Sequence, residues 1–344
     1  MVISDRLRAV VPPISTPLLA LYYLYLPLAI FLFGWVRPEF AIPLAILSGL
    51  LPIRICRKLK SAEFHFQRRK LLIAAGIILL WVILSGIGGY VWQNRWDHFF
   101  RNAVFNDLIQ RPWPVADGND ILCYYLGYWL PPALLAKITG SSAIGNFAQL
   151  IYGFFGVLLA FRLIIEKIGN LRLSYLLPFI FFSGLDIIGF PLSDATLTSN
   201  LHIELWSELA AWESNTTLLF WVYNQAIPSW VATMLILCYG RHAGFCAVTL
   251  CFLSISAPFS VVGLFPLCVY YILDAARREK DPVSAFKAIL SPVNIISIFG
   301  VIPVIAYLSL NSSTSIHIAF WGLSASQWTI SLILLFVLEV LIFL

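Results

Sequence analysis

Apolar runs matching the thickness of a bilayer recur along this chain, and they restrict it to very few folds. A spanning helix needs roughly 20 apolar residues. Pro17 to Trp35, Leu71 to Tyr90, Phe147 to Ile165, Leu173 to Phe190, Thr217 to Tyr239, Val293 to Leu310 and Ala325 to Leu344 meet that need. Glu39 to Ile53 is shorter but is bounded by Arg37 and Arg54. Ala243 to Leu273 is too long for one span and contains Pro258, so it predicts a hairpin of two short spans bent at Ala257-Pro258. In lipid every backbone polar group must be satisfied within the protein, which leaves helices or a closed barrel. Barrel strands would alternate polar and apolar residues, and no such segments occur here. The chain is 60% hydrophobic and 11% charged, with a mean hydropathy of +0.87. These values exclude a soluble enzyme, a disordered chain, a coiled coil and a nucleic-acid module. They predict an all-α, polytopic membrane protein of about ten spans.

Basic residues orient the spans. Arg54, Arg57, Lys58, Lys60, Arg68, Arg69 and Lys70 crowd one loop, and Arg277, Arg278, Lys280 and Lys287 crowd another. The positive-inside rule places both in the cytoplasm. Arg162, Lys167, Arg172 and Arg241 join them only if Ile121 to Lys137 enters the membrane without crossing. That segment, ILCYYLGYWLPPALLAK, is aromatic and then broken by Pro131-Pro132, so a re-entrant or membrane-parallel piece is expected. Both termini are then cytoplasmic, and the outer face carries more acids than bases. Residues 1–70 form a two-span hairpin with its basic loop, and residues 71–344 form the transmembrane core. Asp5, Arg6 and Arg8 precede an apolar stretch with no small-residue cleavage site after it, so no cleavable leader is expected. The apolar run that stops at Leu344 suggests either a flush last helix or a piece of a longer chain. Six cysteines without CxxC spacing predict neither a disulfide framework nor a zinc site.

Candidate chemistry lies in the outer loops. In DHFFRNAVFNDLIQ, apolar residues recur at helical spacing (Phe100, Val104, Leu108; Phe99, Ala103), as in a helix lying along the interface. Asp97 and Arg101 share a face four residues apart. Asp97 is either a catalytic carboxylate with Arg101 as a phosphate partner, or a charge at a helix N-terminus. His98, Asn102 and Asp107 complete the loop's candidate binding set. In the second outer loop, Asp186 sits in the apolar run FSGLDIIGF, where an acid usually has a partner. His202 is a candidate base or ligand there. Glu204 and Glu208, four apart, permit a divalent cation, but without a second histidine at ligand spacing a solvated outer face explains them better. Asn224 and Gln225 beside Pro228 interrupt an apolar stretch and either bind sugar hydroxyls or bond neighbouring helices.

The Gly-rich edge Ser85 to Tyr90, the loop DHFFRNAVFNDLIQRPWPV and the stretch YYLGYWLPPALL together resemble the GT-C superfamily of multi-spanning glycosyltransferases. The resemblance implies membrane-parallel helices in the first long outer loop. It implies Asp97 as general base for an acceptor and a lipid-phosphate-linked sugar as donor, bound at the extracytoplasmic face of the cell membrane. The acid pair common in the family reads Asp97-His98 here. Arg101 is the first candidate for the donor phosphate, with Arg95 or Lys137 in reserve. The competing expectation is a lipid or glycan transporter without chemistry, which would carry charges deep within its spans; Glu339 is the only acid in the middle of an expected one.

Overall fold

The computed structural model describes residues 15–57, 59, 68–91, 93, 97–118, 120–183, 191, 204, 213–278 and 290–311. They are almost wholly helical. Helices α1 (Thr16–Trp35), α2 (Pro38–Cys56) and α3 (Arg68–Leu84) are followed by α4 (Asp97–Gln110). A hairpin of β1 (Ala116–Asp117) and β2 (Asp120–Ile121) then turns at Gly118, whose φ is +60°. Next come α5 (Leu130–Thr139), α6 (Ser142–Ile168) and α7 (Leu176–Phe181). The last four are α8 (Asn215–Tyr239), α9 (Phe245–Leu253), α10 (Pro258–Arg278) and α11 (Pro292–Leu308). Four of these segments are long and apolar enough to cross a membrane: α1, α2, α6 and Pro258–Ala275 of α10.

The chain divides into two compact units, residues 1–171 with 222–312, and residues 172–221 with 313–344. The division falls inside α8, where Val222 leaves helical geometry (φ −136°, ψ 35°). In the second unit, Asn215 and Thr216 donate to the carbonyls of Phe179 and Ile180, each at 2.7 Å. The Glu204 carboxylate accepts from the Ser214 amide at 3.0 Å and from its hydroxyl at 2.9 Å. Those two bonds occupy the acid considered above for a cation; Glu208 and the expected last span, Ala325 to Leu344, lie outside the described residues.

Three helices of the first unit fix the direction of the others. Gln149 of α6 meets Tyr223 of α8 at one end, and Glu166 meets Tyr239 at the other, so these helices run parallel. Helix α1 runs against them: the Tyr152 hydroxyl donates to the Tyr23 carbonyl at 2.8 Å, and Arg162 donates to Thr16 at 2.7 Å. At 1.5 Å per residue the two polar ends are about 25 Å apart, close to a hydrocarbon core. One end gathers Thr16, Arg162, Glu166, Lys167 and Tyr239; Lys167 donates to the Leu237 carbonyl at 2.7 Å, and Thr16 donates to Glu166. The other end holds Trp35, Asp97, Arg101, Trp113 and Lys137. Glycines let α6 pack this closely: a Cβ at Gly156 would lie 2.4 Å from both Ile227 and the Tyr23 hydroxyl.

Several expected segments take another form. Pro131 and Pro132 fall in the first turn of α5, where a missing N–H costs nothing, so they start a helix rather than break one. With ten residues, α5 rises about 15 Å, half a bilayer. The expected hairpin does bend before Pro258, but its halves are unequal. Helix α9 has nine residues and is buried almost throughout, whereas α10 has 21. Helix α3 stops at Leu84, because Gly86, Gly88 and Gly89 adopt φ of 85°, 80° and 81°.

Candidate functional site

Helix α4 begins on Asp97, whose charge complements the helix N-terminus. Its far end is held by Lys137, which donates to the carbonyls of Ile109 (3.1 Å) and Arg111 (2.6 Å) and lies 5.4 Å from the Trp113 ring. Lys137 is therefore engaged in capping, and burial pushes its pKa down. Arg95, the other reserve cation, lies outside the described residues.

The apolar residues expected along the interface on α4 divide between surface and interior. Phe99 and Phe100 point outward, 66% and 61% exposed. His98, Arg101, Phe105 and Leu108 are buried. Two polar side chains can occupy this face because partners meet them. His98 bonds the Ser85 backbone, and its ring lies 5.9 Å from that of Tyr223. Burial, then the Arg101 charge, push the His98 pKa below its usual value, against weaker opposing effects of Ser85 and Asp97. The unfolded chain binds a proton here near pH 6.5, and the folded chain only below that. Stability from neutral His98 is thus present above about pH 6.5 and lost as pH falls toward the lower folded pKa. Thermal midpoints between pH 7.5 and 5.5 should fall more steeply in wild type than in His98→Gln; parallel curves would remove this coupling.

Arg101 is an unusual group for a buried position. Its side chain is 7% exposed. Nη2 meets Asp97 Oδ1 at 3.2 Å, while Nε and Nη1 are buried with no hydrogen-bond partner among the described residues. The guanidinium also lies 5.9 Å from the centre of the Tyr223 ring. Buried N–H groups of a cation are costly to leave unmade. Asp97 is 38% exposed, so its carboxylate stands at the solvent side of this pair. Tyr124, which feels the Arg101 charge, packs 3.8 Å from Tyr125, and Tyr125 reaches Phe259 at 6.4 Å. Burial raises the Tyr124 pKa, with Arg101 opposing, so the phenol stays protonated. An anion accepting from Nε and Nη1 would complete the site.

The other sequence candidates divide. Asn224 is fully buried, and among the described residues neither its amide oxygen nor its amide nitrogen has a partner. It adjoins Tyr223, and Pro228 leaves the Asn224 carbonyl without its usual i+4 donor. Gln225 is part-buried, and its carbonyl accepts from Ser229 at 2.6 Å. Asn102 is held at the surface by Gln93 at 2.7 Å. Asp107 pairs with Arg111 at 3.3 Å, about 9 Å further along the helix axis than Arg101. Asp186 and His202 lie outside the described residues. Among the described residues no group of three or more His, Cys, Asp or Glu could hold a metal ion, and all six cysteines are free. Tyr223, Gln149 and Trp129 were not among the sequence candidates. Only Gln149 carries a sequence signal, as a lone amide in the apolar run FAQLIYGFF. Comparison with protein-family models, with curated proteins and with solved structures finds no match to this chain.

Proposed function

We propose that this chain is a membrane glycosyltransferase of the GT-C kind, with about ten spans and its basic end in the cytoplasm. It transfers a sugar from a lipid-phosphate donor to an acceptor at the extracytoplasmic face. Arg101 holds the donor phosphate. Asp97 takes the acceptor proton as the acceptor oxygen attacks the sugar and the lipid phosphate leaves. The observation that carries this reading is the buried Arg101, with two of its three guanidinium nitrogens unpartnered, beside a solvent-accessible carboxylate. The two polar ends of the first unit, about 25 Å apart, suit an enzyme at one surface better than a transporter with charges along its path.

The full chain in uncharged detergent provides the test, with decyl phosphate and inorganic phosphate as probes. Wild type should bind decyl phosphate more tightly than inorganic phosphate. Arg101→Ala should weaken decyl phosphate binding about 10- to 100-fold, the scale of a lost charge-assisted hydrogen bond. Gel filtration checks that the variant remains monodisperse. Equal affinity of the variant and wild type would reject Arg101 as the phosphate ligand. Preference for inorganic phosphate would reject a lipid-linked donor.

A further inference from the structure

We infer that Tyr223 is the positioning residue of the Arg101 site: its ring holds the guanidinium in place without using any of the N–H groups that a ligand needs. The inference builds on the phosphate reading but has a consequence of its own. A buried arginine is ordinarily stabilised by acids or carbonyls, and each of these occupies an N–H. An aromatic face attracts the cation through its quadrupole and occupies none, and the attraction is larger where both groups are desolvated. Tyr223 is 1% exposed and Arg101 6%. With Asp97 on Nη2 alone, the ring can oppose the desolvation of the charge while Nε and Nη1 stay available.

The ring is itself fixed from several sides. Its hydroxyl accepts from Gln149 Nε2 at 2.9 Å and from Trp129 Nε1 at 3.4 Å. Gln149 is 1% exposed, and its own carbonyl accepts from the Tyr128 hydroxyl at 3.0 Å. Tyr128 and Trp129 stand nearly edge-on to the Tyr223 ring, at 67° and 88°, with centroids 5.2 and 6.4 Å away. The hydroxyl bonds tie one end of the ring and the flanking aromatics set its plane. The frame draws on α6, α8 and the short turn Gly127–Trp129.

Two measurements on the full chain test this. In the first, phenylglyoxal, which modifies arginine, is followed at Arg101 by peptide mass. Tyr223→Leu should raise the rate several-fold, and Tyr223→Phe, which keeps the ring face, should stay near wild type. An unchanged rate in Tyr223→Leu would overturn the inference, whatever Arg101 binds. The second is a double-mutant cycle read by decyl phosphate affinity. Tyr223→Leu should weaken binding about 3- to 30-fold in wild type, the range of a partly to fully desolvated cation–π contact. It should have no further effect in Arg101→Ala. Equal losses in both backgrounds would mark Tyr223 as packing only and overturn its positioning role. Wild-type affinity in Arg101→Ala would sink the phosphate reading, and the modification rates would still decide Tyr223.

Discussion

Replacing Asp97 by Asn should lower sugar transfer by about 10²- to 10⁴-fold, the scale of losing general-base help. The amide oxygen can still accept from Arg101 Nη2, so the geometry of the pair, 3.2 Å in wild type, can persist. What is lost is the ability to take a proton. Donor binding should stay within about threefold, because in the proposed mechanism the phosphate is held by a charge-assisted contact to Arg101 and not by this acid. Transfer assays with Asp97→Asn and Arg101→Ala should therefore give opposite patterns, a turnover loss in one and a loss of donor affinity in the other. Wild-type turnover in Asp97→Asn would remove Asp97 from the mechanism.

Gly127→Ala should be a strongly damaging small change in the fold. The Gly127 amide donates to the Ile255 carbonyl at 3.1 Å. A Cβ there would lie 2.2 Å from the Ser256 hydroxyl and 2.9 Å from both the Cα and the amide nitrogen of Ser256. The nearest backbone atoms belong to the turn between α9 and α10, so relief requires main-chain movement rather than a rotamer change. A loss of about 3 kcal/mol is expected, at the upper end of overpacking costs. That corresponds to a fall in thermal midpoint of about 4 °C for 344 residues, at roughly 2.1 cal/mol/K of unfolding entropy per residue. Gly76→Ala is the control: nothing lies within 4 Å of its added Cβ, and alanine favours a helix. Matching midpoints for the two variants would show that the Gly127 contact yields easily.

The long apolar helices were readable because their physics is one-dimensional. A run such as Pro17 to Trp35 has to become a helix whatever surrounds it, and the observed helix is Thr16–Trp35. The bend before Pro258 was likewise local, since proline forbids a smooth helix there. The polar part of the buried face of α4 was not legible, because the partners that make Arg101 and His98 tolerable inside are Tyr223 and Ser85, distant in sequence. The same distance hid the Tyr223 frame, which joins residues of three separate segments. Asp97 and Arg101 were found because four residues on a helix is a local relation. Asp186 and His202, proposed to join them, lie outside the described residues.

Helix α9 carries an implication for how the protein is made. With nine residues it rises about 14 Å, too little to partition into a bilayer as an independent span during synthesis. The polar turn that follows it, Ser254 to Ser256, is buried against Gly127, a residue translated more than a hundred positions earlier. An isolated hairpin would leave the Ile255 carbonyl, which accepts from the Gly127 amide, without that partner, at a cost of several kcal/mol in hydrocarbon. In the membrane setting proposed above, α9 would join the assembly by docking on the segment around Gly127 rather than by dissolving in lipid.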